Sequence, residues 1–351
     1  MPAEWEPHAG TWMLWPERPD NWRENAGPAQ RAFVAVASAI AKNEPVTMGV
    51  SADQFAAARS ALPAGVRVVE ISSNDAWMRD VGPTFVSDRR GRLRGVDWMF
   101  NAWGGKAGGA YADWELDDQV AAKVLEIEST IRYRAPFILE GGAIHVDGQG
   151  TLLTTEECLL NPNRNPNLRR GQIETLLERY LGVRKIIWLG RGVFNDETDG
   201  HVDNLCCFVR PGEVALSWCD NPDDPQYDIS RAAFEVLAKA KDARGRRLKL
   251  HKLMQPGPLY MSEAEAAGIE RSPDCKVRRA GDRLAGSYVN FYIANRAIVM
   301  PLLDPKTDRA AKTAIARLFP RRQVIGVPSR EILLGGGNIH CITQQQPRAR
   351  R

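Results

Sequence analysis

Glu140-Gly141-Gly142-Ala143-Ile144-His145-Val146 is a glycine-rich turn running into a short apolar strand. The turn pair Asp147-Gly148 follows, and Thr151-Leu152-Leu153 reads as the returning strand. Four other stretches share this design. Arg79-Asp80-Val81-Gly82-Pro83-Thr84-Phe85-Val86 is a polar turn entering a strand. Asp199-Gly200-His201-Val202-Asp203-Asn204-Leu205 does the same, with turn Pro211-Gly212 and return strand Val214-Ala215-Leu216. Ala285-Gly286-Ser287-Tyr288-Val289-Asn290-Phe291 is answered by a strand over 297–300, and Gly335-Gly336-Gly337-Asn338-Ile339-His340-Cys341 is the last. Units recurring every ~50–86 residues are typical of propeller-like arrays.

Helices fill the intervals. Pro28 sits in the first turn of a helix whose Phe33, Val34, Ala37, Ile40 and Ala41 share one face. Ser51 with Gln54 reads as a capping box for a helix that ends before Pro63. Further helices are expected near 116–128, 170–181 (stopped by Gly182), 228–242 and 306–318. No Pro/Ser-rich linker interrupts the series, so the pattern predicts one closed, cyclic α/β domain over 1–351, with 347–351 as a frayed tail. In a radial fold, equivalent turns point at one axial channel. Asp80, Glu140, His201, Asp203 and Cys341 would then converge, although they are scattered along the chain.

Composition sets limits on function. The 351 residues are 44% hydrophobic and 26% charged, ordinary for a globular protein. A formal charge of +4, with bases and acids interleaved, does not describe a nucleic-acid surface. The one basic cluster, Arg348, Arg350 and Arg351, belongs to the tail. No segment approaches the ~18 apolar residues that span a bilayer, and Met1–Pro7 lacks the pattern of a signal peptide. A cytoplasmic location is expected, where the six cysteines would be free thiols, mostly buried.

Cys341 stands apart among those cysteines because three glycines and a polar neighbourhood surround it. Cys206 and Cys207 look like strand packing, Cys275 lies in a polar loop, and Cys158 and Cys219 lack a comparable setting. His201 lies among Asp196, Glu197, Asp199 and Asp203, which would favour its imidazolium. Read as a strand, His201 and Asp203 at i, i+2 share a face. The same pair with extra acids also fits a divalent-metal site. Asp80 and Glu140 read equally well as salt-bridge partners of nearby arginines, and His145 and His340 as hydrogen-bonded core residues.

These parts make a coherent machine for a guanidinium. Paired carboxylates hold that planar cation by bidentate hydrogen bonds and localise its charge. A thiolate attacks the central carbon, and a bound cation lowers the thiol pKa from about 8.5. A histidine protonates the departing ammonia, and water hydrolyses the covalent thiouronium. The electrophile carries its own charge, so the scheme calls for neither metal nor cofactor.

At these residues the sequence resembles the agmatine deiminases of the guanidine-modifying superfamily. The likeness runs through Met1–His8, Trp77–Asp80, Phe100–Gly105, Glu140–Asn161, Thr198–Asn204, Gly281–Asn295 and Gly335–Gln345. It implies the pentein fold, a pseudo-fivefold, five-bladed α/β-propeller of ββαβ-like units around a central channel. It further implies Cys341 as nucleophile, His201 as general acid/base, Asp80 and Asp203 as the guanidinium clamp, and Glu140 orienting the imidazole. Trp77 and Glu197 match the positions that serve the distal end of the substrate. Val81, where the family often has threonine, is a departure outside the chemistry. The implied small-molecule substrate is agmatine, with N-carbamoylputrescine and ammonia as products, in polyamine metabolism.

Other readings stay open at this point. A deiminase of free or peptidyl arginine would need a cation for the carboxylate, and Arg79 is a candidate. A metal-dependent amidohydrolase using His201 and Asp203, and a non-catalytic binding protein of the same propeller fold, are the others. A homo-oligomer is also compatible with the sequence.

Overall fold

A computed structural model describes residues 1–88 and 90–349. Among them, five sheets share one plan: an antiparallel strand pair, then a parallel strand reached over a helix. Thr84–Ser87, Leu93–Met99 and Ile131–Ile138 form one, with helix Asp117–Ile127 as crossover. His145–Val146, Thr151–Thr155 and Lys185–Leu189 form the next, over helix Arg170–Leu181. Cys206–Arg210, Glu213–Trp218 and Lys249–Met254 follow over Gln226–Lys239, and Tyr292–Ile293, Ala297–Leu302 and Gln323–Pro328 over Asp308–Leu318. The remaining sheet joins the two ends of the chain. C-terminal Gln344–Pro347 pairs antiparallel with His8–Leu14, which runs parallel to Val46–Val50 and then Arg67–Glu70. The fold is mixed α/β.

The crossover helices form where the sequence periodicity puts them, because each must bury an apolar stripe on its sheet. Helix Gly27–Ala41 has Pro28 at its start and buries Phe33, Val36, Ala37 and Ile40. Gly182, at φ 69°, closes helix Arg170–Leu181 in the left-handed conformation that only glycine adopts cheaply.

Three local expectations give way. The Ser51 hydroxyl donates to Glu17 Oε2 at 2.6 Å instead of capping, and the helix begins at Phe55. Val202–Leu205 is a single helical turn with the strand starting only at Cys206, so His201 and Asp203 do not share a strand face. Nor does the tail fray from 347: Pro347 pairs with His8, and the Arg348 N–H donates to Pro7 O at 2.8 Å. Arg350 and Arg351, from the predicted basic cluster, lie outside the described residues. No helix among the described residues is long and apolar enough to cross a membrane.

Strand Gln344–Pro347 directly follows the Cys341 turn and supplies one whole edge of the terminal sheet. Truncation after Thr343 is therefore expected to cost about 3 kcal/mol or more, read by urea unfolding. Removal of 349–351 should leave stability within about 0.5 kcal/mol. Equal effects would contradict the role given to this strand.

Candidate active site

The five turns bring together the groups that the sequence scatters. Cys341 is buried, and its Sγ accepts from Asn290 Nδ2 at 3.3 Å and lies 3.5 Å from Asp203 Oδ2. Asp80, in the short helix Met78–Val81, accepts from Gly142 N at 2.8 Å and from Trp103 Nε1 at 2.9 Å. Gly142 shows how tightly the groups converge. A methyl at its α-carbon would stand 2.6 Å from His201 Nδ1, 2.9 Å from Asp80 Oδ1 and 3.0 Å from Asp203 Oδ2. Gly337 is as constrained, since a Cβ there would meet Trp77 at 2.5 Å and Cys341 Sγ at 3.1 Å. The glycines flanking Glu140 and Cys341 are what allow backbone to pass between these side chains.

His201 sits between two carboxylates. Its Nδ1 is 3.8 Å from Asp80 Oδ2 and its Nε2 3.5 Å from Glu140 Oε2. Burial pushes its pKa down, but Asp80, Cys158 and Glu140 outweigh that and hold it well above the usual histidine value. Burial likewise opposes ionisation of Glu140, yet Arg164 and His201 bring it down to about 2. Asp80 has no such arginine. Burial raises it to about 6, with Asp203 and Glu140 adding to the rise and His201 opposing it. The thiol of Cys341 is pushed well up by burial and by the charges of Asp203 and Asp80. Both shifts favour the protonated forms, a neutral thiol and an imidazolium.

Asp203 presents one oxygen to the protein and keeps the other open. Its Oδ2 accepts from His340 Nδ1 at 2.9 Å, while Oδ1 is buried without a hydrogen-bond partner. The thiol opens on a pocket whose lining includes Trp77, Asp80, Trp103, Glu197, Arg278 and Cys341. Trp77 stacks on Trp22 with centroids 5.2 Å apart and donates through Nε1 to Asp75 at 2.8 Å. Glu197 is not a bare acid, because Arg278 Nη2 lies 2.6 Å from its Oε2.

Several participants escaped the sequence reading. Arg164, wholly buried, donates from Nε to Glu140 at 2.7 Å and reaches Trp103 O, Asp199 and Thr198 O. Cys158, set aside from sequence, lies 3.8 Å from Glu140 Oε2 and faces His201. His340, read as a core histidine, contacts Asp203 directly. Arg79, the candidate partner for a substrate carboxylate, turns away from the pocket toward His340 O and Glu4. The adjacency of His340 to Cys341 was the one available signal; the others meet only through tertiary structure.

The model of the Porphyromonas-type peptidyl-arginine deiminase family matches residues 1–347. The chain belongs to this family. An agmatine deiminase of Stutzerimonas stutzeri is 62% identical over 99% of this chain and 95% of its own. Among solved structures, the agmatine deiminase of Enterococcus faecalis matches with TM-score 0.97 at 46% identity, covering 100% of this chain and 96% of that one. A C. jejuni agmatine deiminase, solved as a Cys-to-Ser variant with substrate bound, matches with TM-score 0.86 at 28% identity, covering 99% and 96%.

The Arg164–Glu140 pair gives this geometry a direct test. Arg164→Met would leave the Glu140 charge buried without its partner, which should cost about 3–5 kcal/mol in chemical denaturation. A loss below about 1 kcal/mol would show that Glu140 is not held as an anion by this arginine.

Proposed function

We propose that this chain is a cytoplasmic agmatine deiminase, hydrolysing agmatine to N-carbamoylputrescine and ammonia, with its five sheets arranged as blades of a pentein propeller around the site. The observation that carries the reading is a thiol 3.5 Å from a buried carboxylate, with a second carboxylate and an imidazole converging on the same point. Such a thiol is held neutral by its neighbours, and only a cationic substrate would reverse that effect.

In this reading the guanidinium binds between Asp80 and Asp203, with one N–H directed to Asp203 Oδ1. The bound cation offsets the negative charge that raised the thiol pKa, and the Cys341 proton leaves to solvent. The thiolate attacks the guanidinium carbon. His201 gives its proton to one terminal nitrogen, the C–N bond breaks, ammonia departs and a cationic thiouronium remains on sulfur. Neutral His201 next takes a proton from water, whose oxygen adds to the same carbon. The C–S bond breaks, the added hydroxyl gives its proton to the departing sulfur, the urea product leaves and Cys341 is regenerated as the thiol. Glu140, anchored by Arg164, orients the imidazole. Trp77 and Glu197 would serve the aminobutyl end, where the aromatic face and the acid suit an ammonium.

A deiminase of free or peptidyl arginine is the second reading, favoured by Arg278 in the pocket lining. Its charge is already matched by Glu197, and it donates to Gly335 O at 2.7 Å. A metal-dependent amidohydrolase is separated from both by a chelator, which would abolish its activity and spare a thiol enzyme.

Ammonia release should be at least about tenfold faster, as kcat/KM, from agmatine than from arginine. Comparable turnover of arginine would overturn the substrate assignment. Acid-quenched turnover should leave a substrate-derived mass on the peptide bearing Cys341 and none on that bearing Cys158. The reverse would move the nucleophile.

A further inference from the structure

Behind the pocket lies a second set of buried ionisable groups that the proposed chemistry does not use. His340 Nδ1 is 2.9 Å from Asp203 Oδ2, and its Nε2 is 2.9 and 3.0 Å from the two oxygens of Glu4. A carboxylate can only accept, so a ring contacting one at each nitrogen donates from both and is an imidazolium. Glu4 is in turn faced by Arg79 Nη1 at 3.4 Å and His145 Nε2 at 3.6 Å. The result is a buried line of alternating charge from the N-terminal segment to the inner oxygen of the substrate clamp.

The same three residues, Glu4, His145 and His340, lie close enough together to suggest a metal site. The tautomers speak against it. His145 Nδ1 accepts the Phe208 N–H at 3.2 Å, so its proton is on Nε2, the nitrogen that would have to ligate. His340 offers no lone pair while it donates to both carboxylates.

We infer that Glu4 and His340 are positioning residues that keep Asp203 anionic and its Oδ1 aimed at the guanidinium, and so sustain agmatine binding. The inference rests on Asp203 being part of the substrate clamp. Asp203 needs such support because Asp80 and Cys341 lie beside it and burial favours its protonated form. The groups facing it are His340, His201, Arg79, Asp80 and Cys341. The cations prevail and hold its carboxyl below the usual range, although burial opposes them. Asp80, without an equivalent relay, rises to about 6. The clamp is therefore asymmetric, with one fixed charge and one that titrates.

Glu4→Gln removes the anion that holds His340 protonated, and His340→Asn keeps a neutral donor near the Nδ1 position. Both should raise KM for agmatine about tenfold with a smaller change in kcat, since substrate binding is what weakens. The sign on pH follows from the charge removed. A higher pKa at Asp203 adds a second proton to the acid limb of kcat/KM that Asp80 sets, so the limb steepens from one proton toward two, whereas Glu4→Asp should restore it largely. Lower kcat with unchanged KM and an unchanged limb slope would reduce the pair to scaffolding and overturn the inference. An inactive wild-type protein would instead sink the proposed function. Should these variants not fold, nitrogen NMR of a His201→Asn protein decides. A doubly protonated ring at pH 8, assigned to His340, is expected. A neutral ring, or stoichiometric zinc on the purified protein, contradicts it.

Discussion

Negative charge buried beside sulfur is the constraint that the rest of this site answers. Asp80 and Asp203 stand within reach of Cys341, shielded from water, where a carboxylate is costly unless something positive faces it. Each acid has its own solution. Glu140 has Arg164, Asp203 has the His340–Glu4 line, and Asp80 has only His201 with two neutral donors. The surplus negative charge favours the protonated thiol, and in the proposed function a cationic substrate neutralises it. In the proposed function selectivity and activation have one origin, because the ion that fits the carboxylates would be the ion that ionises the nucleophile.

The fold serves this arrangement by spending its turns, not its strands, on chemistry. Each strand pair and crossover helix buries an apolar face, which leaves the connecting turns to carry polar groups inward. The terminal sheet matters most here. Strand His8–Leu14 pairs with Gln344–Pro347, so Glu4 and Cys341, at opposite ends of the chain, are fixed on one framework. The N-terminal segment is thereby part of the site's electrostatics.

Much of this was legible in the sequence. Glycine-rich turns mark close backbone approach, and the groups at Gly142 and Gly337 show that the inference was physically sound. Helix Gly27–Ala41 followed from its apolar period and Pro28. Local patterns failed where tertiary partners competed: Ser51 had the signature of a cap, but its hydroxyl found Glu17. The alternation at His201-Val202-Asp203 suggested a strand, yet the segment winds into a turn that lets Asp203 reach His340. Arg164, Cys158 and Arg278 carry no motif of their own. Their positions are set by which buried charge each one meets, and that is a property of the assembled molecule.

The account is tested most directly by titrating the Cys341 thiolate through its absorbance near 240 nm, with Cys341→Ala as the blank, in the free protein and with a saturating unreactive guanidinium or amidinium ion. The free thiol should ionise only above the ordinary cysteine range, and the bound cation should shift that ionisation downward by at least about one pH unit. A thiolate already present at pH 7 without the cation, or a titration unmoved by it, would contradict the proposed coupling.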